Sequence, residues 1–370
     1  MWGRIAALVV KEMLAVWRDR RSQLAIVGPP LVQLFLFSYA ATLDVTNVAI
    51  GVLNRDDGAW SREFVQRLEG STTFTDIHVL RRQAEIDRLI DTRAVVAVLH
   101  FGPTFSADVA AGGPARVQVI LDGRRSNATQ IVQGYLETIA ADLRAEIIRA
   151  RDDAPPGRAE AIERGWFNVN LIFRWFTVPS LIGILAMLVA LIVTGQSIAR
   201  ERELGTFDQL LVSPLRPHEI LIGKTVPPLL IALVHSTVFL LAAVFVFEVP
   251  FRGSIALFYL ALVLYLVATI GIGLFISALA QTQQQAFLGA FLFMAPAVLL
   301  SGFAAPVENM PEWLQIGTLA NPLRHFVVLS KGLFLKALPP GEVAANALPL
   351  VVIAAVTLPV AAWLFTRRLE

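Results

Sequence analysis

Residues with catalytic or ligand-binding chemistry are sparse in this chain. Gly223–Thr225 has the sequence of the end of a phosphate-binding loop, but that loop requires a glycine five positions before Gly223, where His218 stands. His325 lies beside Arg324 without the nucleophile-and-base pattern of an enzyme site. Cysteine is absent, which excludes thiol nucleophiles, iron–sulfur clusters and cysteine-ligated zinc. The sequence therefore predicts a protein that is not an enzyme and has no ATP, metal or cofactor site of its own.

The most specific pattern lies at 199–214, ARERELGTFDQLLVSP. A helix that begins near Thr206 places the apolar side chains at 207, 210 and 211 on one face, with Gln209 as the capping-box partner of Thr206. Ser213–Pro214 ends this helix, because proline disfavours helical backbone in the residue before it. We expect a short helix, hinged at Gly205, whose apolar face fills a groove on another protein.

The charges before this short helix have two explanations. Glu201 and Glu203 alternate with Arg200 and Arg202, and local ion pairs between them would contribute little at a surface. A role at a protein interface is favoured, because the apolar helix beside them otherwise has no reason to be exposed. Lys224, at the start of the next apolar run, is expected to anchor that run at the membrane interface.

The composition is that of a membrane protein. Of 370 residues, 56% are hydrophobic and 16% are charged, whereas a soluble domain carries about 25% charged residues. The mean hydropathy is +0.64. A formal net charge of +2 is too small to favour nucleic acid as a partner. Membrane lipid is the expected surrounding of most of the chain.

Six apolar runs are long enough to cross a bilayer, whose hydrocarbon core needs about 20 mainly apolar residues in a helix. Lysine and arginine concentrate before the first run, between the second and third, and after the sixth, and such residues are held on the cytoplasmic side. Both termini and the segment 200–224 are therefore predicted to be cytoplasmic. The predicted spans are 24–43, 174–199, 225–247, 254–280, 286–304 and 343–366.

The first 23 residues predict an amphipathic basic helix at the headgroup interface on the cytoplasmic side. Apolar side chains recur there at helical spacing, with arginine, lysine and acidic residues between them. An ordinary cytoplasmic extension is the alternative explanation of residues 1–23.

Residues 44–173 form a predicted external domain that carries more than half of the chain's charged residues. Short β-like runs alternate there with helical runs, which predicts an α/β or α+β layer, and a long helix at 127–151 leads back to the membrane. Its acidic residues lack metal-ligand spacing and are expected to be solvated. The predicted fold is a polytopic α-helical membrane protein with six transmembrane helices plus an inserted external α/β (α+β) domain. The β-like runs are 48–53, 77–80, 94–101 and 117–121.

Three stretches resemble the ABC-2 type permeases of ABC transporters: E-R-E-x-G-T-x-x-x-L-L-V-S-P at 201–214, S-G-F-A-A-P-V-E-N-M-P at 301–311 and N-P-L-R at 321–324. The domain at 44–173 resembles the subgroup with a large periplasmic insertion after the first span. The resemblance implies a separate ABC ATP-binding subunit, which holds ATP and Mg²⁺, and a second permease copy, identical or different. The subgroup often works with a periplasmic adaptor protein. The residues implied to contact or position the ATPase are Glu201, Arg202, Glu203, Gly205, Thr206, Leu210, Leu211, Ser213 and Pro214.

Three prolines, at 306, 311 and 322, interrupt the external segment 302–325, and the stretch 305–342 is therefore predicted to be a broken or re-entrant helix. Irregular backbone at membrane depth is tolerated only where it is buried in protein or lines a cavity, so this stretch is a candidate outer gate. A plain surface loop is the alternative. The candidate gate residues are Ser301, Gly302, Phe303, Pro306, Met310, Pro311, Asn321 and Pro322.

These features favour the permease subunit of an ATP-driven exporter in a bacterial inner membrane. Because the fourth and fifth spans contain no charged residue, an apolar or amphipathic cargo, drug-like or lipid, is favoured over an ion. Two alternatives stay open. A membrane-anchored sensor would use the external domain as its receptor, but it lacks a cytoplasmic output domain. An ion-driven secondary transporter would need inverted repeats and ionisable residues inside the membrane.

Overall fold

The computed structural model describes residues 2–40, 48–71, 73–92, 94–122, 126–150, 172–206 and 215–367. The chain divides into two compact units, each described by itself below. The helical unit comprises Met1–Ala41 with Arg164–Glu370, and the α/β unit comprises Thr42–Glu163. The described α-helices, in chain order, are α1 (Trp2–Arg18), α2 (Arg20–Ala40), α3 (Ala59–Glu69), α4 (Ala84–Asp91), α5 (Phe105–Ala111), α6 (Ser126–Ala150), α7 (Phe173–Glu203), α8 (Pro217–Phe245), α9 (Ile255–Leu279), α10 (Gln283–Leu299), α11 (Glu312–Gly317), α12 (Pro322–Lys331) and α13 (Pro340–Arg367).

Four described helices are long and apolar enough to cross a membrane: α7, α8 from His218, α9, and α13 up to Phe365. The predicted first and fifth spans fall on two shorter apolar helices, Ile26–Tyr39 within α2 and Gln283–Leu299. A helix of 17 residues extends only about 26 Å, less than the roughly 30 Å hydrocarbon core. The helix α10 ends at Leu299 rather than at 304, because turns follow it. The count of six spans therefore stays a prediction.

The helix α7 lies at the centre of the helical unit. Of its most apolar 18 residues, 89% are buried, against 22% for α13. Two backbone carbonyls of α7 accept hydrogen bonds from α9: Tyr265 Oη donates to Gly183 O at 2.8 Å, and Ser277 Oγ donates to Gly195 O at 2.6 Å. Because the middle of α7 is packed on all sides, the sequence there is uncharged from 175 to 199 rather than amphipathic.

The α/β unit contains a four-stranded sheet with the order β2-β1-β3-β4. The strand β1 pairs in parallel with β2 and β3, and β4 is antiparallel to β3. Two crossovers, β1–α3–β2 and β2–α4–β3, run in opposite directions along the sheet. Because such connections are right-handed, their helices cover opposite faces: α3, α5 and α6 pack on one face and α4 on the other. The strands are β1 (Val48–Asn54), β2 (Phe74–Leu80), β3 (Ala97–Phe101) and β4 (Val117–Leu121).

A buried carboxylate joins the loop after β1 to the helix after β3. Ser106 Oγ donates to Asp56 Oδ2, and Gly58 N donates to the same oxygen at 3.2 Å. Ser106 Oγ in turn accepts from Trp60 N at 3.1 Å. Burial alone raises the pKa of Asp56, but the hydrogen bonds from Ser106, Ser61 and Gly58 outweigh it and lower the pKa below its usual 3.8. Ionised Asp56 therefore stabilises the packing of α3 against α5.

The pH dependence of this contribution follows from the lowered pKa. It is fully present above pH 3.8, the usual value, and is lost as the pH falls through the lower folded pKa. We expect Asp56→Asn to destabilise the α/β unit at pH 7 by about 1.5–3 kcal/mol, the range for hydrogen bonds to a charged group. The difference in stability between this variant and the wild type narrows as the pH falls below 3.8. Pulse proteolysis of the full chain in urea measures the effect. Cleavage within residues 48–122 is followed, and it gives the urea concentration at which half of the α/β unit is unfolded.

The matched control for this prediction is Asp57→Asn, since Asp57 is the exposed neighbour of Asp56. Equal urea midpoints for the two variants at pH 7 would show that Asp56 does not stabilise the unit.

Candidate functional site

The first half of the predicted coupling segment is the C-terminal end of α7. Gly205 has φ +70°, the left-handed conformation that glycine adopts without strain. Gly205 N donates to Arg202 O at 3.1 Å and Thr206 N donates to Glu201 O at 2.9 Å, which is a Schellman motif. The predicted hinge is therefore the residue that stops α7. The apolar helix predicted beyond it, with Leu210, Leu211, Ser213 and Pro214, lies outside the described residues.

Glu201 is the centre of an ion cluster, which we define as Lys11, Glu12, Ser197, Glu201 and Lys224; the Lys11 side chain is half exposed. Lys224 Nζ lies 2.9 Å from Glu201 Oε2 and 3.2 Å from Glu12 Oε1. The Lys224 side chain is 1% exposed and that of Glu201 is 7% exposed. Lys11 Nζ donates to Glu201 Oε1, and Lys224 Nζ donates to Ser197 Oγ at 3.2 Å. Because buried charges are tolerated only when they are paired, the cluster ties α1, α7 and α8 together.

The neighbouring charges fix the end of α7 to further helices. Arg202 Nη1 donates to Ala278 O at 2.8 Å and to Ala280 O at 3.0 Å, at the C-terminal end of α9. Glu203 Oε2 accepts from Gln283 N at 2.9 Å, at the N-terminal end of α10. Both contacts match the helix dipole, which favours a cation at the C-terminus and an anion at the N-terminus.

The local ion pairs considered from the sequence are not what the described residues form. Glu201 pairs with lysines of α1 and α8, and Arg200 lies 3.6 Å from Asp19 Oδ2. The prediction that Lys224 anchors α8 at the membrane interface is wrong, because its side chain is buried in the ion cluster. The only sign of the ion cluster in the sequence was a charged residue next to an apolar run. The partners of that charge could not be predicted, because they are distant in the sequence.

A close approach of two helices brings α1 to the ion cluster. Leu8 of α1 is buried against Gly223, and a Cβ atom at that glycine would lie 2.4 Å from Leu8 Cδ2.

Burial by itself lowers the pKa of Lys11, but hydrogen bonds and charge from Glu201 and Glu12 outweigh it and raise the pKa. Lys11 is therefore held as a cation beside Glu201.

The candidate gate residues form two linked groups. Ser301, Gly302 and Phe303 make a turn after α10: Ser301 Oγ donates to Val298 O at 2.7 Å, and Gly302 has φ +79°. Phe303 stacks on Phe176 of α7, with ring centroids 6.2 Å apart and planes at 6°. Lys331 Nζ lies 4.3 Å from the centroid of the Phe176 ring. Phe176 and Lys331 were not among the predicted site residues.

The second group begins α12. Asn321 caps this helix by accepting from Leu323 N at 3.1 Å, and its Nδ2 donates to Ala297 O of α10 at 2.7 Å. Pro322 occupies the first turn of α12, where its missing N–H costs nothing. Pro306 and Pro311 precede a 3₁₀ turn and α11, and Met310 O accepts from Gln315 Nε2 at 2.8 Å.

The helix α12 belongs to the packed core of the helical unit and is not a plain surface loop. Phe326 is fully buried and stacks on Tyr265 at 4.5 Å, with the ring planes at 13°. Ser330 Oγ donates to Pro179 O of α7 at 2.8 Å. The prolines therefore interrupt a segment whose last helix is buried against α7 and α9.

The family match and the similar proteins agree on one family of transporters. The family described as ABC-2 family transporter protein matches residues 23–363. The chain is 42% identical over its whole length to "Probable multidrug ABC transporter permease YbhR" of Escherichia coli, all of which is covered. It is 30% identical to "Probable multidrug ABC transporter permease YbhS" of the same organism, over 99% of this chain and 97% of that protein. It is 35% identical to "Inner membrane transport permease YhhJ", over 67% of each chain.

The ion cluster predicts a measurable coupling between Glu201 and Lys224. Lys224→Met leaves Glu201 with Lys11 as its remaining partner, and Glu201→Gln leaves Lys224 with Glu12, so we expect each to lower the free energy of unfolding by about 1–3 kcal/mol. The double variant is expected to lose less unfolding free energy than the two single variants lose together, and the difference is a coupling energy of about 1–3 kcal/mol. Denaturant unfolding in detergent micelles measures all three.

The exposed pair Lys336–Glu342 is the matched control, because its 3.0 Å separation is similar but its side chains are 47% and 48% exposed. We expect its cycle, Lys336→Met with Glu342→Gln, to give less than about 1 kcal/mol. A coupling at Glu201–Lys224 no larger than this would contradict the structural role of the cluster.

Proposed function

This chain belongs to the ABC-2 family of transporter membrane proteins, and from that premise we propose that it is the permease subunit of an ATP-driven exporter. The cargo proposed is an apolar or amphipathic small molecule, and ATP is hydrolysed by a separate ATP-binding subunit. The names of two relatives, which describe multidrug ABC transporter permeases, support this cargo class. The absence of charged residues from the sequences of α9 and α10 supports it as well.

One observation carries the proposal: a single helix connects the candidate coupling segment to the candidate gate. Helix α7 has 31 residues and is therefore about 46 Å long. Glu201, at its C-terminal end, belongs to the ion cluster, and Phe176, in its first turn, stacks on Phe303. A force on the coupling segment would therefore reach the turn at 301–303, which we call the outer turn, through one rigid element.

The contacts at the C-terminal end of α7 determine which helices would move together with α7. The segment 197–206 is joined to α1 and α8 through Glu201, to α9 through Arg202 and to α10 through Glu203. ATP-dependent closure of the partner subunits would push on residues 207–214 beyond Gly205. Because the contacts hold the helices as one body, the push would rock the body rather than bend one helix.

The ion cluster does not favour the ion-driven alternative. Glu201 lies near the C-terminal end of α7, two residues before Glu203, and not at its middle. The positive and negative side chains of the cluster pair with each other at 2.9 and 3.2 Å. Such paired charges at a helix end act as a structural tie, whereas a proton or ion pathway needs ionisable groups along the depth of the membrane.

The proposed membrane arrangement keeps the six spans, both termini in the cytoplasm and the α/β unit in the periplasm. Trp2 and Trp17 of α1 are 77% and 75% exposed, which supports a helix that lies in the headgroup layer with its other face on α7 and α8. A second permease copy, identical or related, would complete the transport path, and a periplasmic adaptor would bind the α/β unit.

The proposed ATPase contact predicts the outcome of a co-purification experiment. The tagged chain is isolated from membranes in mild detergent, and co-purifying proteins are identified by mass spectrometry. We expect an ATP-binding subunit with the wild-type chain and its loss from the double variant Leu210→Asp, Leu211→Asp, because two carboxylates cannot enter an apolar groove unpaired.

The matched control is Ile316→Asp with Leu319→Asp, two exposed apolar residues of the proposed external stretch. This variant is expected to retain the ATP-binding subunit. Equal retention by both double variants would overturn the assignment of the coupling segment, and absence of any ATP-binding protein from the wild-type sample, even after crosslinking, would overturn the exporter proposal.

A further inference from the structure

The α/β unit contains a large apolar cavity between its sheet and the helices of one face. The cavity has a volume of about 740 Å³, which lies within the roughly 300–1,000 Å³ typical of small-molecule sites. Its walls come from β3 and β4, from α3 and α5, and from the long helix α6. Every lining residue belongs to the α/β unit, so the cavity is complete within it.

The lining is apolar on three sides. Leu99 and Phe64 form the floor, Val109 belongs to α5, and Leu136 and Leu143 come from α6. These five side chains are between 0% and 7% exposed. An apolar cavity offers water few hydrogen bonds, so its filling by an apolar molecule is favourable. The walls therefore suit the hydrocarbon or aromatic body of a ligand.

Charged and polar groups occur on one wall, along α6. Glu137 and Arg144 line the cavity and lie seven residues apart, so two helical turns separate them on one side of α6. Gln133 Nε2 donates to Glu137 Oε1 at 2.8 Å, so this carboxylate already has a donor. Arg144 has no ion pair among the residues that the structure describes. Its guanidinium is therefore the group available to an anionic ligand.

We propose that this cavity is a binding site for an amphiphile with an apolar body and an anionic head, the head pairing with Arg144. This site goes beyond the exporter proposal, because binding requires neither ATP nor a partner subunit. In an exporter, such a site would let the α/β unit receive or sense amphiphiles of the class that the chain is proposed to move.

Photocrosslinking tests the site in the full chain, reconstituted in lipid nanodiscs. The probe is dodecanoic acid with a diazirine near the end of its chain, and the neutral counterpart is the matched dodecanol. Crosslinked peptides are located by mass spectrometry. We expect the acid to label peptides of α5 and α6, and Arg144→Gln to lower this labelling at a limiting concentration by roughly tenfold, the effect of one charge-assisted hydrogen bond. The control Arg88→Gln changes an exposed arginine of α4, on the opposite face of the sheet.

A variant that fills the cavity distinguishes binding inside the cavity from binding on the surface of α6. Ala140 lines the cavity, whereas its neighbour Ala141 does not, and both residues are exposed. We expect Ala140→Trp to abolish labelling of α5 and α6 and Ala141→Trp to leave it unchanged. Equal labelling of the two variants, labelling confined to the membrane helices, or equal dependence of acid and alcohol on Arg144 would overturn the proposal. Each of these results leaves the co-purification of an ATP-binding subunit unaffected, so the two proposals fail separately.

Discussion

The ion pair between Glu201 and Lys224 is the constraint on which the helical unit depends. Both charges are withdrawn from water at the ends of apolar helices, where an unpaired charge would cost several kcal/mol. Their mutual pairing, together with Lys11 and Glu12, fixes α1 against α7 and α8. The buried contact of Leu8 with Gly223 then determines how closely α1 approaches. The residues at which the coupling segment begins are thereby held in one geometry.

The same rigid contacts would transmit motion in the proposed transport cycle. A push on a loosely attached loop would be absorbed locally, whereas the end of α7 is bonded to α1, α8, α9 and α10 at once. The Schellman motif at Gly205 stops α7 sharply. At the other end of α7, Phe176 stacks on Phe303, and Lys331 lies over its ring. The candidate gate is therefore attached to the element that the coupling segment would move.

The sequence predicts the parts of this molecule whose signal is local. Runs of β-branched residues located the strands of the α/β unit, and long uncharged runs located α7, α8, α9 and α13. The family resemblance rested on the coupling motif and agrees with the match of residues 23–363. Gly205 was predicted as a hinge, and its role as the end of α7 follows from the positive φ that only the structure shows.

Long-range pairing could not be predicted in the same way. Lys11 and Glu201 are 190 residues apart, and nothing in the spacing around either residue specifies the other. Lys224 was read as an interface anchor because a lysine beside an apolar run is ordinary there, and its burial depends on α1, which packs from far along the chain. The cavity of the α/β unit likewise arises from how α6 lies on the sheet, which periodicity does not determine.

Accessibility of the outer turn during ATP binding tests the central claim most directly. The chain has no cysteine, so a single introduced cysteine is the only residue of this chain that an impermeant maleimide labels, and labelling is scored on this chain. Ser301 is 1% exposed and Trp313 is 73% exposed in the same stretch. In vesicles that contain the complete transporter, ATP with vanadate is predicted to raise the labelling rate of Ser301→Cys and to leave that of Trp313→Cys unchanged. Identical labelling of Ser301→Cys with and without nucleotide would contradict the coupling of ATP to the outer turn.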